Sequence, residues 1–147
     1  MNLTVKILNK DEESITITQL IDQVKNNPLL KECGAIFSFE GLVRGEEEDL
    51  TTYTLNLTTT SITKTQEELD KVVEDIKDKH QVKILSVVHY LGKFNPGDPL
   101  FLVTVAGAHR QETRAALNEV IERVKYELDF KKEEETSKGK NIIMSGG

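Results

Sequence analysis

The chain has 147 residues and a mass of 16.6 kDa, which suits one domain long enough to bury its own core. Apolar residues make up 37% of it and charged residues 30%, a balance that excludes both a membrane span and a disordered chain. The 19 basic and 25 acidic residues give a net charge of −6, which argues against a nucleic-acid partner because phosphates are neutralised by a basic face.

Hydrophobic periodicity divides the chain into alternating strands and helices. An alternating pattern predicts five strands, over Leu3–Leu8, Gly34–Val43, Thr51–Thr58, Val82–Leu91 and Leu100–Ala108. A helical period predicts three helices, over Thr18–Lys25, Thr65–Lys79 and Glu112–Leu128. We expect the second and third strands to pair as a hairpin, Asn95–Asp98 to form a tight turn, and Lys131–Lys140 to be a polar tail.

This order of elements predicts a single α+β domain. Paired strands alternate with helices, and a turn as short as Asn95–Asp98 can join only antiparallel strands, so the sheet is expected to be largely antiparallel. Leu100–Ala108 is almost continuously apolar and is expected at the centre of the sheet. Within it, Phe101–Val105 is a candidate contact for a second copy of the chain.

Several kinds of site are disfavoured by spacing. The three histidines are nine and twenty residues apart, so no metal site is predicted. Cys33 is the sole cysteine, and it is either a nucleophile served by a histidine or, more commonly for such a residue, a small buried apolar side chain. One cysteine without a basic-then-apolar leader predicts a cytoplasmic protein.

Cationic side chains collect where predicted strands end. Arg44 closes one strand, His109 and Arg110 lie between the central strand and the last helix, and Lys125 follows on that helix. Arginines and a helix N-terminus can hold an anion, and a lysine that flanks a buried stripe can serve as a base or a nucleophile. The alternative is a capped helix with ordinary surface ion pairs.

The same residues carry a family resemblance, which covers about Gly34 to Ile143. Four motifs occur in order: Phe39–Arg44, His89–Gly92 with Pro96–Asp98, Ala108–Arg110, and Phe130–Glu134. In these motifs and in the spacing from Arg110 to Lys125 and Lys132, the chain resembles the large, catalytic subunit of molybdopterin synthase.

The resemblance implies an α+β hammerhead fold and a homodimer that binds a small ubiquitin-like sulfur-carrier subunit at each end. The carrier's C-terminal thiocarboxylate would supply sulfur to cyclic pyranopterin monophosphate in two rounds, forming the dithiolene of molybdopterin without a cofactor. Lys125 and Lys132 would be catalytic, as base or nucleophile. The residues implied to bind substrate or line the pocket are Phe39, Leu42, Val43, Arg44, His109, Arg110, Lys125, Lys132, Glu133 and Glu134. Residues 130–147 would form a tail that completes the site.

The chain departs from the family pattern at a few positions. Thr58–Ser61 stands where the family has a tyrosine and a proline, Asp129 and Lys131 flank Phe130 where it has a proline and a tryptophan, and the tail has Asn141 and Ile142 but no tryptophan. A non-catalytic carrier-binding module of the same fold is therefore the alternative. The final Gly146–Gly147 pair also occurs in sulfur carriers, although a flexible tail is the simpler interpretation.

Overall fold

Eight strands and three α-helices make up the protein in a computed structural model that describes residues 4–144. The strands are β1 (Val5–Asn9), β2 (Ala35–Leu42), β3 (Glu46–Glu47), β4 (Leu50–Thr58), β5 (Ile84–Phe94), β6 (Pro99–Gly107), β7 (Lys131–Thr136) and β8 (Gly139–Met144). The helices are α1 (Ile17–Lys25), α2 (Ile62–His80) and α3 (Arg110–Glu127), with a 3-10 helix at Pro28–Glu32. Among these residues, no helix combines the length and apolar character needed to cross a membrane.

The strands form one sheet in the order β2-β6-β5-β4-β7-β8. Strand β1 pairs in parallel with β5, β3 forms a short hairpin with β4, and all other pairings are antiparallel. The predicted α+β class with a mainly antiparallel sheet is therefore confirmed. Strand β6 is buried and is paired on both edges, which confirms its central position.

One predicted strand pairing and one predicted contact surface are wrong. Strand β2 does not form a hairpin with β4, because β2 pairs with β6 while β4 pairs with β5 and β7. Alternation shows which residues face the core, but the same alternation suits any neighbouring strand. Phe101–Val105 is not a free edge for a second copy, since β2 and β5 occupy both sides of that segment.

Helices α1 and α2 begin at side-chain caps, and each of the three helices buries one apolar stripe. Thr16 and Gln19 form a capping box at the start of α1, and the Ser61 hydroxyl accepts a hydrogen bond from the Lys64 amide at the start of α2. The buried stripes comprise Leu20 and Val24 of α1, Leu69, Val72, Val73 and Ile76 of α2, and Ala116, Val120 and Val124 of α3. Because α2 and α3 also pack on each other, α3 is held firmly against the sheet.

The C-terminal segment is a hairpin and not the predicted polar tail. Strand β7 pairs with both β4 and β8, and Gly139, at a φ of +99°, occupies a backbone conformation in the turn that favours glycine. The charged side chains of β7 stay partly exposed while its backbone bonds to two neighbours, so the segment lacks the apolar alternation that would have indicated a strand. Leu3 and the Gly146–Gly147 pair lie outside the described residues.

Candidate functional site

A cavity of about 330 Å³ lies where α3 ends between the central sheet and the C-terminal hairpin. Its size falls within the range of small-molecule sites, about 300–1,000 Å³. The residues that line it are Phe39, Gly41, Leu42, His89, Leu100, Phe101, Ile121, Lys125, Phe130, Lys132 and Met144. The wall is apolar apart from one histidine and two lysines.

Two elements bring these lysines together. Lys125 lies in the last turn of α3, beside the buried Val124, and its exposed ammonium group lies 5.4 Å from the centre of the Tyr126 ring. Lys132 is the second residue of β7 and is paired in register with Leu57 on one side and Ile143 on the other. The sequence separates these lysines by seven residues, and the change from helix to strand turns both toward one cavity.

The surroundings change the acidity of Lys132. Burial lowers the pKa of Lys132, and the charge of Lys125 lowers this pKa further, while Glu134 acts in the opposite direction. A depressed pKa increases the fraction of neutral amine near neutral pH, which is the form that can act as a base or a nucleophile.

His89 was not predicted as a site residue, although it belongs to one of the resemblance motifs. It lies on β5, stacks on Phe130 with ring centres 4.3 Å apart, and lies 5.0 Å from the ring centre of Phe101. Burial lowers the pKa of His89 to about 4, so the ring is neutral at pH 7. A histidine among the mostly apolar, buried residues of β5 was the available signal.

A second, smaller cavity of about 150 Å³ adjoins the first and shares Leu42, Leu100 and Lys132 with it. It adds Val43, Arg44 and Glu134 from the predicted set. The Arg44 side chain is exposed and forms an ion pair with Glu47. The structure thus brings together seven predicted residues, namely Phe39, Leu42, Val43, Arg44, Lys125, Lys132 and Glu134.

Three predicted residues line neither of these cavities. His109 and Arg110 are exposed at the N-terminal end of α3, and Lys125 lies fifteen residues further on, a distance of about 22 Å along the helix. Glu133 lies on the other face of β7, where its carboxylate is 3.1 Å from the Lys131 ammonium and 3.9 Å from that of Lys140. Helical length and strand alternation therefore separate these side chains from the lysines within one chain.

Two of the departures from the family pattern contact each other. Thr60 Oγ1 donates a hydrogen bond to Asp129 Oδ2, which ties the loop after β4 to the segment between α3 and β7. That segment places Phe130 against His89 and continues into Lys132. A polar contact thus holds the segment at the positions where the resemblance implies prolines and aromatic residues.

The structure does not support Cys33 as a nucleophile. Cys33 packs beside Val24, Ile84 and Ala106, and burial raises the pKa of its thiol, which disfavours the reactive thiolate. It borders neither of the two cavities described above. Within residues 4–144, no group of three His, Cys, Asp or Glu side chains is placed to hold a metal ion.

Comparison with known proteins gives a consistent result. The family model described as MoaE protein matches residues 10–127. A probable molybdopterin synthase of Haloferax volcanii is 28% identical over 131 residues, which cover 88% of this chain and 50% of that protein. A molybdopterin synthase catalytic subunit of Mesorhizobium japonicum is 30% identical over 106 residues, covering 72% of this chain and 65% of that protein. The chain thus spans half to two thirds of the length of these relatives.

The fold agrees with a solved structure as well. The crystal structure of molybdopterin synthase from Staphylococcus aureus superposes with a TM-score of 0.80 at 25% identity, covering 95% of this chain and 96% of that one. Since the family model spans most of the chain and the fold matches over nearly its whole length, the resemblance noted from the sequence is confirmed: the chain belongs to the MoaE protein family.

Proposed function

We propose that this protein is the catalytic subunit of a molybdopterin synthase and acts as a sulfurtransferase. It would move sulfur from the thiocarboxylated C-terminus of a small ubiquitin-like carrier subunit to cyclic pyranopterin monophosphate, forming the molybdopterin dithiolene. The observation that carries the proposal is that Lys125 and Lys132 face one apolar cavity in a chain of this family. Further support comes from relatives that are named as the catalytic subunit of molybdopterin synthase.

The chemistry of the cavity suits this reaction. The substrate carries a cyclic phosphate, and the ammonium groups with the nearby Arg44 guanidinium are donors that attract an anion. Opening the phosphate ring and adding sulfur require proton transfers, for which the lowered pKa of Lys132 is favourable. The same amine could instead meet the acyl carbon of the carrier's tail, and the two roles are distinguished by trapping a covalent carrier–lysine adduct.

The distance along α3 supports a site shared between two copies of the chain. His109 and Arg110 are about 22 Å from Lys125 along the helix, so one chain cannot close them on a ligand in its own cavity. In a homodimer, the α3 N-terminus of one copy would approach the cavity of the other and add two more donors for the phosphate.

The C-terminal residues would complete the site, as the resemblance implies. Phe130, Lys132 and Met144 already line the cavity, so the segment from Phe130 to Met144 would act as one wall of a single-domain enzyme. The net charge of −6 and the single cysteine support a cytoplasmic protein without a nucleic-acid or membrane partner.

A reconstituted assay tests the function. Purified protein would be mixed with thiocarboxylated carrier and cyclic pyranopterin monophosphate, and the dithiolene product would be followed. We expect product from the wild type and a loss of about 100-fold or more for both Lys125→Ala and Lys132→Ala, the usual scale for removing a proton-transfer group. Lys131→Ala is the matched control, because Lys131 neighbours Lys132 but pairs with Glu133 on the other face.

The alternative is a non-catalytic module that binds the carrier. It predicts normal carrier binding with no product from the wild type. Product formation that survives in both Lys125→Ala and Lys132→Ala would instead leave the enzyme in place and refute the roles given to the two lysines.

A further inference from the structure

The polar side chains that line the cavity differ in whether they donate or accept hydrogen bonds. Lys125 and Lys132 present ammonium groups, which donate hydrogen bonds and cannot accept them while charged. The remaining lining side chains are aliphatic, aromatic or a thioether, apart from His89. Among the described residues that line this cavity, His89 is therefore the one side chain that can accept a hydrogen bond while both lysines are charged.

The hydrogen bonding of His89 fixes which nitrogen is free. Its Nδ1 lies 3.1 Å from the Tyr90 carbonyl oxygen, and because a carbonyl can only accept, Nδ1 carries the hydrogen. Since burial holds the pKa of His89 at about 4, the ring is neutral and Nε2 keeps an unprotonated lone pair. Nε2 makes no hydrogen bond within residues 4–144, although His89 is only 6% exposed. Although the residue is mostly buried, the Nε2 atom itself is not sealed from solvent, so it is open to the cavity, where a ligand can supply the missing partner.

The rings of Phe101 and Phe130 limit how a ligand can contact His89. Phe130 covers one face at an interplanar angle of 23°, and Phe101 lies against the ring at 34°. Because His89 is only 6% exposed with these rings beside it, little of the imidazole face is open for stacking on a heterocycle. The ring can therefore meet a ligand mainly through its edge, and Nε2 is the polar atom of that edge that remains free.

We propose that His89 determines specificity by accepting, at Nε2, a hydrogen bond from an N–H group of the heterocycle bound in this cavity. Lys125 and Lys132 meet the anionic group of the same ligand, so the ligand class is a planar heterocycle with N–H donors at one end and a phosphate at the other. This inference rests on the proposed function, whose pterin substrate has both features. His89 orients the ring, and the lysines carry out the chemistry.

Steady-state kinetics with cyclic pyranopterin monophosphate tests the role. His89→Phe keeps an aromatic ring between Phe101 and Phe130 but removes the acceptor. We expect KM to rise about tenfold, the effect of one hydrogen bond, with kcat changed less than about twofold. Tyr90→Phe is the matched control, because it removes a buried hydroxyl that bonds to Ile15 rather than lining the cavity, and its KM should equal that of the wild type. An unchanged KM in folded His89→Phe would overturn the inference.

A measurement on the wild type keeps the test independent of how the variant folds. In a nitrogen NMR spectrum at pH 7, adding the substrate should shift the Nε2 resonance of His89 upfield, as hydrogen bonding to a free lone pair does, and leave Nδ1 in place. An Nε2 resonance that does not move in the saturated complex refutes the contact. If the wild type neither binds nor converts the compound, the proposed function fails and this inference fails with it. If the wild type converts the compound but neither the KM of His89→Phe nor the Nε2 resonance changes, only this inference is overturned.

Discussion

The two ends of α3 both carry exposed basic side chains, but these side chains have different neighbours. At the C-terminal end, Lys125 borders an apolar cavity that also receives Lys132 from β7. At the N-terminal end, His109 and Arg110 are exposed, and the N-cap residue His109 makes no side-chain capping bond. The ends differ in what lies beside them, because the cavity end also receives Lys132, whose pKa is lowered mainly by burial.

The largest expected effect is a loss of activity, without a loss of stability, when the N-terminal end of α3 is changed. If His109 and Arg110 are the phosphate donors proposed above, the double variant His109→Ala/Arg110→Ala should lose sulfur transfer by about 100-fold. Its Tm should stay within about 1 °C of the wild type, because both side chains are exposed. Arg114→Ala, one turn further along the same helix and also exposed, is the control and should keep full activity. Full activity in the double variant would show that this end of α3 has no part in the site.

The stability of the protein should fall in acid because of His89, which lines the cavity at the C-terminal end of α3. The pKa of His89 is about 4 in the folded protein against 6.5 for an ordinary histidine, so below pH 6.5 the unfolded chain binds a proton that the folded chain excludes. The free energy of unfolding should therefore fall by about 3 kcal/mol between pH 6.5 and pH 4 from this group. Urea denaturation across this range compares the wild type with His89→Phe, whose curve should be flatter, and two parallel curves would contradict the burial of a neutral ring.

A smaller effect concerns the segment that carries Phe130. Removing the hydrogen bond between Thr60 and Asp129 should cost about 1 kcal/mol, the usual contribution of one such bond. A double-mutant cycle of Thr60→Val and Asp129→Ala, read by urea denaturation, isolates their coupling energy. Thr58→Val, at a nearby exposed position on β4, is the control, and a coupling energy near zero would show that the contact does not hold the segment.

The smallest expected effect is a change in the pKa of Lys132. Glu134 raises this pKa, so Glu134→Gln should move it further below the ordinary value of a lysine. An NMR titration of the Lys132 side chain measures the shift directly. Glu135→Gln removes a charge from the other face of β7, where it lies 3.9 Å from Lys140, and should leave the pKa of Lys132 unchanged. A rise in Glu134→Gln would contradict the electrostatics given for the cavity.

Some parts of the fold and the site could be predicted from the sequence and others could not, depending on whether periodicity, alternation or motif spacing indicated them. Periodicity was sufficient for α2, α3 and the central strand β6, because their buried stripes are strongly apolar. Strand partners were not predictable from alternation, and β7 was missed because its side chains are almost all charged. Spacing and motif grouped Lys125 with Lys132, but only the fold showed that Glu133 faces the other way and that His89 is enclosed with them.

Mixing two inactive variants tests most directly whether the two ends of α3 act in different copies. Lys132→Ala and His109→Ala/Arg110→Ala would be combined under conditions that exchange subunits, with mixed dimers confirmed by native mass spectrometry. In a mixed dimer, one site combines all the substitutions and the other none. With random exchange, about a quarter of the wild-type sulfur transfer should return. Confirmed mixed dimers that recover no activity would contradict a site shared between two copies.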